Sequence, residues 1–212
     1  MGESEVIQII LAIVTLALVN GFAEIVKIDV TAFAKIIVIA AVVILVNVAG
    51  KKIVASRLDA DVEHEIWRVQ RYGLKEGAHI QNSVPIGVIL PIFVGVITLG
   101  AVNLSTILTY ETRALKRRAA RRFGPLSFTE MTDYHNALVG AAGIVCVLIA
   151  AFVSYWIPGF GGLGIIATSY VFFNMFPIGK LDGAQIFFGS RVLWATLVVI
   201  TLIFMSYAIL LP

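Results

Sequence analysis

Six apolar runs, near residues 6–23, 33–50, 84–108, 136–157, 163–178 and 192–211, constrain this chain more than any motif in it. A helix needs about 20 apolar residues to cross the hydrocarbon of a bilayer. With 59% hydrophobic and 14% charged residues in 212, a water-soluble fold would lack polar surface. The expectation is an all-α, multi-pass membrane protein: one domain over 1–212, with transmembrane helices at 6–23, 33–50, 136–157, 163–178 and 192–211. The run at 84–108 stands apart. Pro85, Gly87, Pro91, Gly95, Gly100, Asn103 and Ser105 weaken a lipid-exposed helix there, so it is expected to re-enter the membrane or form a β-hairpin covered by neighbouring helices, with a further transmembrane span as the alternative. Its 84–98 portion has the length of two short strands.

Charge position says more than the net charge of +3. Arg113, Lys116, Arg117, Arg118, Arg121 and Arg122 form the densest basic stretch, and the positive-inside rule puts that loop in the cytoplasm. Counting spans from it places the N-terminus inside and the C-terminus outside. Membrane lipid, rather than nucleic acid, is the expected surrounding. The first run is read as a retained helix, because Glu3 and Glu5 before it are acidic, unlike the basic start of a signal peptide. Cys146, the single cysteine, lies in an apolar run and reads as a small filler. Trp67, Trp156, Trp194, Tyr72, Tyr110 and Tyr134 fall near run ends, as an aromatic belt would place them.

Ionisable residues at membrane depth mark function, which singles out Asp182. It follows a helix break, Phe173-Asn174-Met175-Phe176-Pro177-Ile178-Gly179-Lys180-Leu181-Asp182-Gly183, in which one proline and two glycines interrupt an apolar run. The plain reading is that Asp182 caps the next helix. The functional one is that it lines an enclosed polar site.

Asn174, Pro177, Leu181, Asp182 and Gly183 match, position for position, an N-x-x-P-x-x-x-L-D-G motif, and the chain here resembles the site-2 proteases, intramembrane zinc metalloproteases. Ala137-Leu138-Val139-Gly140-Ala141-Ala142-Gly143 resembles that family's A-L-A-G-P helix entry, with Ile144 in place of the proline. The resemblance implies an H-E-x-x-H pair on an earlier helix, whose histidines hold zinc and whose glutamate is the general base. The segment in that position is Asn47-Val48-Ala49-Gly50-Lys51. Asn47 stands for the first histidine, Val48 for the glutamate and Lys51 for the second histidine. An amide is a poor zinc ligand, valine is no base, and an ammonium repels a dication. On this alignment neither catalysis nor a bound metal is expected, and Lys51 is expected to pair with Asp182 where the family holds zinc. The plain reading of Lys51 is a side chain that snorkels to the headgroups.

Three functions follow. The first is a non-catalytic site-2-protease-like protein that binds lipid-embedded partners, such as transmembrane segments of other proteins. The second is an active zinc protease with rearranged ligands drawn from His64, His79, His135 and Asp182. The third is a small transporter or channel subunit with Lys51 and Asp182 in a polar pathway. The literal half-motif His64-Glu65-Ile66-Trp67-Arg68 has arginine in place of the second histidine, lies among Asp59, Asp61 and Glu63, and reads as a solvated helix. His79 and His135 read as boundary residues with hydrated rings.

Overall fold

Asp29 starts the longest helix by accepting from the backbone N–H groups of Thr31 and Ala32 at 3.1 and 3.0 Å, the usual office of an N-cap aspartate. The computed structural model describes residues 3–69, 83–115, 131–157 and 159–210. Their order is α1 (Glu3–Asn20), α2 (Phe22–Val26), α3 (Val30–Arg57), β1 (Ala60–Ile66), α4 (Ile86–Ile97), β2 (Leu108–Ala114), α5 (Asp133–Ser154), α6 (Gly161–Asn174), α7 (Asp182–Gly189) and α8 (Arg191–Leu210). The protein is mostly helical, and among the described residues three helices, α3, α5 and α8, are long and apolar enough to cross a membrane.

That count corrects the expectation of five spans. The apolar runs at 6–23 and 163–178 fold into the shorter apolar helices Ser4–Asn20 and Gly161–Asn174. At 1.5 Å per residue, the 14 residues of α6 reach about 21 Å, short of a hydrocarbon core of about 30 Å. The segment at 84–108 is not a hairpin: its centre is the 12-residue α4. Pro85 sits at the N-cap, where its missing N–H costs no helix bond, and the helix accommodates Pro91 inside.

The fold is also not all-α. β1 and β2 form an antiparallel two-stranded ribbon in which His64 faces Tyr110 and Glu63 faces Glu111. The chain enters it from α3 through Asp59, at φ +52°. The stretch around His64, expected as a solvated helix, is β1, with Ala60, Val62, His64 and Ile66 buried. Alternation of small or apolar residues with Asp61, Glu63 and Glu65 is the period of a half-buried strand.

Side chains of α1, α3, α5 and α6 make the main core, including Leu16, Ile44, Ile144 and Tyr170. Small residues set the close approach of α3 to α5: a Cβ on Gly50 would lie 2.8 Å from Cys146 Sγ. Glu5, at the start of α1, touches Lys52 near the end of α3, so these helices run in opposite directions. Asn136, at the start of α5, bonds Thr112 of β2, and Asn174, at the end of α6, bonds the carbonyl of Ser105. The ribbon, α7 and these helix ends therefore gather at one end of the bundle. Lys116, Arg117, Arg118, Arg121, Arg122, His79 and Tyr72 lie outside the described residues, and with them most of the basic stretch used to assign sidedness.

Candidate functional site

Lys51 projects from α3 into that end of the bundle and is wholly buried, as is Asp182 at the first position of α7. Lys51 Nζ lies 2.8 Å from Asp182 Oδ1 and 2.7 Å from Oδ2, so one ammonium engages both carboxylate oxygens. The structure thus joins two residues 131 positions apart and removes both plain readings. Lys51 does not snorkel, and Asp182 does not cap α7: Leu181 holds the N-cap position without a side-chain bond.

Tyr110 closes the site from below. Its ring centroid is 4.5 Å from Lys51 Nζ, a cation–π distance, and its hydroxyl donates to the Asn136 carbonyl at 2.8 Å. Burial, then the nearby Asp182 carboxylate, push the phenol well above its ordinary pKa, so the hydroxyl remains a donor. Glycines on α5 admit this packing. A Cβ at Gly140 would lie 2.4 Å from Tyr110 Oη, and one at Gly143 would lie 2.8 Å from Lys51 Cε and 2.9 Å from Asn47 Nδ2.

Asn47 stands one turn before Lys51 on the same face of α3, wholly buried, with its amide beside the Asp182 carboxylate. Val48 is buried among apolar neighbours. The motif residues around Asp182 have structural work. Asn174 Nδ2 donates to the carbonyls of Ser105 (3.0 Å) and Tyr170 (2.8 Å), which ties α6 to the lead-in of β2. Leu181 is buried, whereas Pro177 is exposed in the break between α6 and α7. Gly183 has no alternative, because a Cβ there would come within 2.2 Å of the Met175 carbonyl oxygen. Gln185, one turn into α7, donates to the carbonyls of Tyr110 and Lys180 and accepts from Asn136 Nδ2 at 2.7 Å. Lys180 reaches Glu111 at 2.7 Å, which draws the Glu111 carboxyl below its usual range. The Asp182 loop is thereby fastened to β2.

A zinc ion does not fit this set. Asp182 is the one anionic ligand type, both its oxygens face an ammonium, and Asn47 and Lys51 offer a neutral amide and a cation. The rearranged set does not assemble among the described residues either, where no group of three or more histidine, cysteine, aspartate or glutamate side chains forms. His64 bonds Glu5 through Nδ1 at 3.0 Å, Glu65 lies on the opposite face of β1, and His135 bonds Thr132 at the start of α5. Because His64 is on a strand, a residue four positions on is not one helical turn away, and the half-motif has no zinc geometry.

Sequence reasoning missed Tyr110, assigned to an aromatic belt; it is 1% exposed. Trp67, given the same role, is also buried, and the indole of Trp194 donates to the Met175 carbonyl. It missed Asn136, Gln185 and Glu5 too, since polar residues at the ends of apolar runs look hydrated until the fold buries them. The available signal was the glycine pair Gly140 and Gly143, whose spacing leaves one face of α5 open to a neighbour. Comparisons with protein-family models, curated proteins and solved structures return no match to this chain.

Proposed function

We propose that this chain is a site-2-protease-like membrane protein without catalysis, which binds transmembrane segments of partner proteins rather than cutting them. One observation carries the reading: Lys51 and Asp182 close on each other at 2.7–2.8 Å, fully buried, with Asn47 one turn away, at the positions that the resemblance assigns to the metal ligands. An ammonium there supplies the positive charge that the carboxylate needs and leaves no activated water for hydrolysis. On this reading no metal belongs to the site.

Partner contact falls on the ribbon. In its register Leu108, Tyr110 and Thr112 are the pairs whose backbone groups point away from β1. The Tyr110 carbonyl is taken by Gln185 and Leu108 is buried, so on this reading a strand unwound from a partner segment pairs at the half-buried Thr112 end of β2. The same reading puts the ribbon end of the bundle, with the N-terminus and the Arg113–Arg122 loop, in the cytoplasm, and the C-terminus outside.

Metal content tests the proposal. The detergent-purified chain is expected to hold no stoichiometric zinc by elemental analysis. The variant Asn47→His/Val48→Glu/Lys51→His is expected to hold about one zinc per chain, lost again on Asp182→Ala, because i and i+4 histidines facing a carboxylate make a three-ligand site. Stoichiometric zinc in the unmodified chain would overturn the non-catalytic reading, and a triple variant that folds without binding zinc would remove the site-2-protease alignment.

A further inference from the structure

The buried polar layer extends beyond Lys51 and Asp182, along the seam between α1 and the ribbon. Glu5 places one carboxylate oxygen 2.8 Å from Lys52 Nζ and 3.0 Å from His64 Nδ1, and it also accepts from the His64 backbone N–H at 3.4 Å. Gln8, one turn later, accepts from the Ile66 N–H at 2.7 Å. Glu5 and Gln8 thus occupy the outer edge of β1, where the carbonyls of a further strand would lie. The start of α1 is held on the ribbon by side chains, with His64 at the hub.

The bonding pattern fixes the state of His64. Facing an anionic carboxylate, Nδ1 carries the proton, which leaves Nε2 as a bare lone pair; Nε2 is enclosed and has no hydrogen-bond partner. A second proton would create an N–H with no acceptor, and a buried unsatisfied donor is costly. Among the described residues, the charged and titratable groups facing His64 are Glu5 from α1, Lys51 and Lys52 from α3, and Tyr110, its cross-strand neighbour, from β2. The remaining neighbour, α4, brings no ionisable side chain. Protonation would turn a layer with two cations and two anions, the latter Glu5 and Asp182, into one with three cations against two.

We propose that His64 is an acid-sensitive latch: neutral, it holds the first turn of α1 on β1; protonated, it releases that turn and uncovers the outer edge of the strand. Burial first, then Lys51, depress His64 to about 4 against the opposing pull of Glu5, so the latch is closed at neutral pH. Lys52, with 28% of its side chain exposed, marks the rim through which protons reach Glu5 and His64. This device is independent of whether the ribbon binds partners.

Hydrogen–deuterium exchange of the full chain in detergent tests it, with rates corrected for the intrinsic effect of pH. Between pH 7 and pH 4.5, peptides covering 3–9 and 60–67 are expected to lose protection tenfold or more, while those from α5 keep theirs. The variant His64→Asn retains a donor towards Glu5 but does not titrate, and it is expected to keep both segments protected at either pH. Undiminished protection in the unmodified chain at pH 4.5 would overturn the proposal, as would an equal loss in His64→Asn, which would transfer the response to Glu5. Should the variant fail to fold, nitrogen spectra of labelled histidine in the unmodified chain decide. The latch requires a neutral, Nδ1-protonated His64 at pH 7 that titrates together with the loss of protection; a doubly protonated ring at pH 7 excludes it.

Discussion

Lys51 and Asp182 are each tolerable inside the bundle only because of the other. Removing one leaves an uncompensated buried charge, which costs about 3–5 kcal/mol, whereas replacing both with apolar residues of similar volume is often neutral. Lys51→Met and Asp182→Leu are therefore each expected to lower the unfolding temperature in detergent markedly, and the double variant to recover most of the loss. Single variants as stable as the parent would show that the pair carries no such stake. Gly140 makes a second residue-scale prediction. A methyl group 2.4 Å from Tyr110 Oη forces the phenol off the Asn136 carbonyl, so Gly140→Ala is expected to cost about 1–3 kcal/mol in the same measurement, and Gly140→Ala/Tyr110→Phe to regain part of it. Asp182 stood out in the sequence because an ionisable residue at a break in an apolar run is anomalous, whereas Asn47 and Lys51 were reached only through the resemblance. Tyr110, Gln185 and Glu5 did not stand out, because each lies where a membrane protein normally meets water.

At the scale of elements, the ribbon is where expectation and structure part. The charges Asp59, Asp61 and Glu63 suggested a solvated helix, yet every second residue of β1 is buried. A ribbon of seven-residue strands is marginal by itself; here β1 is covered by α1 through Glu5 and Gln8, and β2 is held by Gln185 and Lys180. Asn174 fastens the approach to β2 in the same way. Loss of its bonds to Ser105 and Tyr170 leaves buried carbonyls with fewer donors, so Asn174→Ala is expected to destabilise by about 1–3 kcal/mol, with exchange protection falling first near 103–110. Protection unchanged in that segment would show that the ribbon is anchored without Asn174. The 84–108 run failed as a hairpin because Pro85 and Pro91 were read as helix breakers, when the first stands at a helix start and the second is accommodated inside α4.

The whole molecule is organised by polarity along its length: apolar helices over most of the bundle, with buried charges collected at the ribbon end. Its stability should therefore depend on pH through His64. That ring is depressed from 6.5 to about 4 in the folded chain, so between these values the unfolded chain binds the extra proton. Stability is complete above about pH 6.5 and falls as the pH drops towards 4, by on the order of 3 kcal/mol. Unfolding temperature against pH reads this slope, and a profile flat from 7 to 4 would contradict a buried neutral His64. The sequence by itself determined that the chain is mostly apolar helix, with segments able to cross a membrane, and that Asp182 is out of place in it, because hydropathy and polar anomalies are local properties of a segment. Only the tertiary structure decided how many helices reach full span, that a β-ribbon floors the site, and that Tyr110, Glu5 and His64 are interior. Burial and pairing depend on which distant segments meet, and no local pattern records that.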